Sequence, residues 1–156
     1  MNEAFIGIDP GYGGGIAMTM DKEWFSQRYP ISRDVREAMG LFNSYCHNAS
    51  IEGYNVITYI EKVWAMPHDG RSSAFKFGMN YGIWHGITAG HKIIEVIPRK
   101  WQSIYDGLSK DKKERKQQLK ELAIEIVDGQ CKTTLNTCDA ILIAEYGKET
   151  YGNTGE

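Results

Sequence analysis

The chain has 156 residues, 42% of them hydrophobic and 24% charged, which suits one globular domain with a sizeable core and leaves no length for two. Its longest apolar runs fall far short of the roughly 20 residues that a membrane span needs, so no membrane partner is expected. A net charge of −2 excludes a uniformly basic surface, yet residues 110–120 carry six basic and two acidic side chains, a local +4 set against −6 elsewhere.

Residues 4–9 (AFIGID) read as a short apolar strand that ends in an acid. PGYGGG at 10–15 follows as a turn, because glycine tolerates the positive φ that tight turns require. IAMTM and EWFSQR continue as two more strands and complete an antiparallel meander. Ser32 is placed to cap a helix in which Val35, Met39, Phe42 and Cys46 recur at helical spacing. Asn55–Glu61 is β-branched and aromatic, a strand that again ends in an acid, and AMPHDGRS at 65–72 carries turn chemistry. From Ser73 to about Gly90 the pattern is helical, with Gly78, Gly82, Gly86 and Gly90 on one face. Each glycine costs roughly 1 kcal/mol against alanine in a helix interior. The bare stripe therefore calls for close packing, either across the sheet or against a second subunit. Lys92–Ile97 is a further strand closed by Pro98. A basic helix follows at about 111–127, with Leu119, Leu122, Ala123 and Ile126 on its buried face, and a last helix at about 137–147. The order implies a mixed α/β sheet, antiparallel in its first half with parallel additions. The polar segment 148–156 reads as a frayed tail. Cys46, Cys131 and Cys138 lack CxxC spacing and read as reduced thiols, which with a strand starting almost at once, and so no leader peptide, points to the cytoplasm.

Three carboxylates sit where ligands gather in open α/β sheets, beyond the carboxyl ends of strands. Asp9 ends the first strand, Glu61 the fourth, and Asp139 lies in the first turn of the last helix. Neighbouring strand ends are about 5 Å apart, so two ionised carboxylates there repel unless a cation lies between them, and magnesium prefers oxygen ligands. Each acid also has a plain alternative. Asp9 can initiate an Asp-Pro-Gly turn, Glu61 can be a solvated strand end, and Asp139 follows Asn136 at capping-box spacing.

Four segments in this order, IGIDPGYGGGIA, IEKVWAMPHDGRSSAFKFGMNYGIWHGI, VIPRKWQ…LSKDKK and CDAILIAEYG, resemble the RuvC-type Holliday junction resolvases, most closely the phage-encoded branch and its chloroplast relatives. The resemblance covers about residues 4–147 and implies a resolvase domain over 1–147. It implies an α/β, ribonuclease-H-like fold, a mixed five-stranded sheet flanked by helices. The implied activity is paired, symmetric nicking of DNA four-way junctions by a homodimer, with two magnesium ions per site (manganese substituting) and a 5′ phosphate left on the product. Asp9, Glu61 and Asp139 match the family's metal-binding acids, Asp9 as the ligand shared by both ions. Trp64 stands where the family carries a junction-wedging aromatic. The helix bearing Gly78, Gly82 and Gly86 matches the dimer-forming helix. One departure stands out: the family has a further acid shortly before the last, and here Asn136 occupies that place as an uncharged metal ligand. Glu145, six residues past Asp139, is roughly 240° around the helix and a poor substitute.

DNA affinity requires cations beyond the acids. Lys110, Lys112, Lys113, Arg115 and Lys116 form one basic segment, and Arg71, Lys76, Arg99 and Lys100 supply scattered others; a solvated helix face is the alternative. Trp64, Phe75 and Phe77 are candidates to stack on unpaired bases, or else to pack in the core. Actin-like and sugar-kinase ATPases share the opening Asp-x-Gly turn but need two such domains, which 156 residues do not hold. A nuclease for flaps, Y-shaped DNA or RNA–DNA hybrids, and a junction-binding protein weakened by Asn136, remain as alternatives.

Overall fold

The computed structural model describes residues 2–30 and 33–152. Five strands, β1 (Asn2–Ile8), β2 (Gly15–Met20), β3 (Glu23–Arg28), β4 (Tyr54–Glu61) and β5 (Lys92–Val96), form one sheet in the order β3-β2-β1-β4-β5. The β1–β2 and β2–β3 pairs are antiparallel, whereas β4 and β5 run parallel to β1. The helices are α1 (Val35–Ile51), α2 (Arg71–Thr88), α3 (Pro98–Gln102), α4 (Lys112–Val127) and α5 (Cys138–Thr150). Among the described residues no helix is long and apolar enough to cross a membrane.

Strand alternation divides the core into two layers. Ala4, Ile6 and Ile8 of β1 face α1, packing with Ala38, Phe42 and Ala49 and with Trp84 of α2. Phe5 points the other way, into a cluster with Tyr59 of β4, Trp101 of α3, Leu119, Ala123 and Val127 of α4, and most of α5. Helix α5 lies against the sheet because two glycines admit it. A Cβ on Gly7 would fall 2.1 Å from the Ala140 carbonyl oxygen, and one on Gly147 would fall 2.6 Å from the Tyr59 ring.

Several boundaries differ from the sequence expectation. The cap of α1 is Asp34, whose carboxylate accepts from the Arg36 amide at 2.8 Å; Ser32 lies outside the described residues. Helix α5 continues to Thr150, past its expected end at 147, as Thr150 Oγ1 bonds back to the Tyr146 carbonyl. The glycine stripe does not cross the sheet. Helix α2 buries Asn80, Trp84 and Thr88, and Gly78, Gly82 and Gly86 lie on the opposite, exposed face. A Cβ at any of these three would meet nothing within 4 Å.

Candidate active site

The site begins with strand register. The last β1–β4 pair is Ile8 with Ile60, and both side chains lie in the α1-side core. One step further, Asp9 and Glu61 therefore stand side by side and point to the opposite face, where α3, α4 and α5 are packed. Helix α5 starts at this same edge, and the Gly7–Ala140 approach places Asp139, one residue earlier, over the end of β1.

Asp9 and Glu61 both feel the Asp139 charge. Burial, then the Asp139 charge, pushes the Asp9 carboxyl up to about 6, against the pull of the Gly11 amide and Lys116. Burial, then the charges of Asp9 and Asp139, pushes Glu61 up to about 8, opposed by Trp101 and Lys116. Each acid has an internal partner. The Gly11 amide donates to Asp9 Oδ1 at 2.9 Å, the Trp101 indole Nε1 to Glu61 Oε2 at 2.6 Å, and Lys116 Nζ to Asp139 Oδ2 at 2.6 Å. Burial alone disfavours the lysine charge, but Asp139 beside it outweighs that and raises its pKa. The Cys138 thiol, pushed up to about 12 by burial and by Asp139, stays protonated 3.5 Å from Asp139 Oδ1.

This donor set suits a hard divalent cation: the acidic ligands are all oxygen, and two are raised by burial and mutual repulsion, which such an ion would relieve. The ligand shell is not drawn closed, however. Among the described residues no group of three His, Cys, Asp or Glu comes together tightly enough to hold a metal ion. Each carboxylate instead leans on its own partner, Lys116 supplying the positive charge.

The loop after Asp9 is clamped from two sides. Asn80 of α2, 4% exposed, donates from Nδ2 to the Pro10 and Gly11 carbonyls at 2.6 and 3.1 Å. Asn136 donates from Nδ2 to the Gly13 carbonyl and does not cap α5, whose N-cap is Thr137. Gly14 must stay bare, since its Cβ would fall 2.1 Å from the Asp9 carbonyl oxygen.

The basic residues divide. Lys116, grouped in sequence with its lysine neighbours, turns inward to Asp139, and Arg115 Nη1 donates to the Ser109 and Lys110 carbonyls at 3.0 and 3.2 Å. Lys110, Lys112 and Lys113 are exposed, as are Arg71, Lys76, Arg99 and Lys100. A pocket of about 310 Å³, lined by Gln102, Lys112, Arg115, Lys116, Leu119 and Asp139, joins the α4 cations to the acid cluster. Trp64 is 57% exposed, Phe75 71% and Phe77 41%, so none is a core residue. Glu145 interacts with Lys148 and Glu149, away from the cluster.

Sequence reasoning passed over Trp101 and Asn80. Trp101 carried a signal: it stands three residues past Pro98, on the short helix that follows β5. Asn80 lies four and eight residues before Trp84 and Thr88, on the face α2 buries.

No family model matches the chain, and no curated protein matches it. Solved structures do. Thermus thermophilus RuvC in complex with a Holliday junction substrate is 13% identical, with a TM-score of 0.60 and coverage of 96% of each chain. A second Thermus thermophilus RuvC structure is 14% identical, with a TM-score of 0.56, covering 97% of this chain and 96% of that one. At such identities the likeness is one of fold, and the fold is RuvC's: a ribonuclease-H-like mixed five-stranded sheet flanked by helices.

Proposed function

We propose that this chain is a divalent-metal-dependent endonuclease for branched DNA, with the four-way junction as its preferred substrate, acting as a homodimer. The observation that carries the reading is the placement of Asp9 and Glu61 after paired strand ends and of Asp139 in the first turn of α5, three acids from three elements at one sheet edge. Half-buried carboxylates, each with one internal partner and two of them raised by their neighbours' charge, suit a site completed by a cation and a phosphate. The neighbour that resembles this chain in fold was solved with a Holliday junction, which favours DNA of that shape as the substrate.

Asp9, Glu61 and Asp139 would hold magnesium, two ions in the family's scheme with manganese as a substitute, and Asn136 would contribute an uncharged oxygen. Bound there, the metal supplies Lewis-acid and water-activating chemistry for phosphodiester hydrolysis. The chain's own groups do the positioning. Trp101 holds Glu61 by one carboxylate oxygen, Asn80 and Asn136 fix the glycine loop around Asp9, and Lys116 neutralises Asp139. Trp64, Phe75 and Phe77 offer exposed rings to unpaired bases, and Lys110, Lys112 and Lys113 with Arg71, Lys76, Arg99 and Lys100 offer charge to phosphates. The open glycine face of α2, rimmed by exposed Phe75 and Met79, suits close approach of a second copy.

A second reading has its own observation. The Asn136 amide is turned to Gly13, which favours a loop-fixing role over metal ligation and a protein that binds junctions while cutting them weakly. One assay separates these readings: matched junction, flap, Y-shaped, duplex and RNA–DNA hybrid substrates, with and without magnesium. Junction cutting that requires the metal is the expected result. Junction binding without cutting leaves the second reading standing, and neither binding nor cutting removes both.

A further inference from the structure

Beside the glycine loop, two residues that the proposed nuclease leaves unused, Tyr12 and Arg33, meet Lys76. The Arg33 guanidinium sits 3.8 Å from the Tyr12 ring centroid and 4.9 Å from that of Tyr29, between the loop that follows β1 and the end of β3. Lys76 Nζ approaches the same Tyr12 ring at 5.3 Å from α2. Arg33 adopts φ +56°, a left-handed conformation that costs a non-glycine residue and that is commonly retained at functional positions. The adjacent carboxylate, Asp34, caps α1 and pairs with Arg36 at 2.9 Å.

Buried polar atoms here lack acceptors. Among the described residues, Arg33 Nη1, Tyr29 Oη and Trp84 Nε1 are all buried without a hydrogen-bond partner. Tyr29 is 2% exposed, Trp84 0%, and their rings meet edge to face at 5.7 Å. Buried donors are almost always satisfied in folded proteins. Arginine is the side chain suited to stack on aromatic rings while presenting its planar rim of donors to a phosphate.

We propose that Tyr12, Arg33 and Lys76 form a second phosphate subsite, which holds a backbone phosphate of the DNA strand that passes the acid cluster. Position supports this. Tyr12 is three residues past Asp9 on the clamped loop, Gly11 bonds Asp9, and Phe77, the neighbour of Lys76, reaches to within 3.6 Å of a Cβ built on Gly11. The strand would meet Lys76 and the 44%-exposed Tyr12 first, and the rim of Arg33 next. The subsite would carry no sequence information and would set where along the strand the acids act.

The inference rests on the DNA-binding part of the proposed function, and the test keeps the two apart. Binding of a labelled four-way junction is followed by fluorescence anisotropy across a salt series, without divalent metal, for the unaltered protein and for Arg33→Gln, Arg33→Lys and Lys76→Gln. Loss of one duplex phosphate contact lowers the slope of log affinity against log salt by ~0.9, equivalent to roughly an eightfold loss between 0.1 M and 1 M reference salt. Arg33→Gln and Lys76→Gln are each expected to show that loss, and Arg33→Lys to recover the slope. If the unaltered protein binds junctions and a folded Arg33→Gln variant keeps its slope and affinity, the subsite is overturned and the nuclease reading survives. Should Arg33→Gln fail to fold, an unchanged slope in Lys76→Gln overturns it equally. No junction binding by the unaltered protein overturns both.

Discussion

Glu61 shows what the site asks of a single residue. Its carboxyl sits where water is largely excluded and two other carboxylates lie close, and the Trp101 indole offers one donor in return. The outcome is a group pushed up to about 8, so around neutral pH the metal-free protein holds a proton there that its unfolded chain releases. Because the folded state binds more protons than the unfolded state between the ordinary carboxylate range and about 8, stability must fall as pH rises through that window. Asp9, pushed up to about 6, adds to the fall over the lower part of the window. In chelator, the melting temperature is expected to drop between about pH 5 and about pH 8. Glu61→Gln should flatten the drop, and magnesium should raise the melting temperature most at the alkaline end. A melting temperature that climbs over the same range in chelator would contradict the burial assigned to Glu61. In the proposed reaction the acid that matters most is Asp9, which follows the β1 end that pairs with β4 and feels the Asp139 charge. Asp9→Asn is expected to reduce junction cleavage below detection while leaving junction affinity in place, because the exposed cations are untouched; residual full activity would remove Asp9 from the mechanism.

At the scale of elements, the site depends on how closely α5 lies on the sheet. Gly7→Ala would drive a methyl group into the Ala140 carbonyl, a backbone atom that cannot step aside. Overpacking of that kind costs roughly 1–3 kcal/mol. It would also lift the first turn of α5, and Asp139 with it, so chemical denaturation and cleavage rate should fall together. A fully active, fully stable Gly7→Ala protein would mean that this approach does not position Asp139. The strand-end acids were legible in sequence because both strands end in a carboxylate after an apolar run, and strand alternation then settles their common face. The inward turn of Lys116 was legible in principle and missed. It lies three residues before Leu119 on the stripe that Ala123 and Val127 continue, so helical spacing already places it at the buried edge of α4. Its membership of a lysine-rich run hid that. Of the two readings of the α2 glycines, packing across the sheet fails and contact with a second subunit stays open. Within the subunit the packed face is the Asn80, Trp84 and Thr88 stripe, whose polar members obscured it in the sequence. The Asn80 and Asn136 clamps join residues about 70 and 123 positions apart in the chain, and such contacts leave no mark in local pattern.

For the whole molecule, the open face of α2 poses the main question. The glycines leave the subunit's own packing undisturbed, so the stripe is a cost to the isolated chain. Gly82→Ala, judged on one subunit, should stabilise the helix by roughly 1 kcal/mol. A glycine stripe is useful where another backbone must come near, and in the proposed homodimer a second copy of this chain would supply one by twofold symmetry. That symmetry matches a four-way junction, which presents two strands of like polarity to be cut. Gly82→Leu tests the twofold contact. Gly82 is exposed and nothing lies within 4 Å of a Cβ there, so the added side chain is expected to point to solvent in one subunit and to obstruct a partner, with an unchanged circular dichroism spectrum as the check. Sedimentation should show the unaltered protein as a dimer, alone or on the junction, and the variant as a monomer. On a supercoiled plasmid carrying a cruciform, a dimer that cuts both strands within one encounter yields linear DNA. A monomer with an intact acid cluster makes one nick, supercoiling relaxes, the cruciform is reabsorbed, and nicked circles accumulate instead. Linear product from a variant that sediments as a monomer would break the link between twofold symmetry and paired cutting, because the acid cluster of one chain would then be completing both incisions by itself.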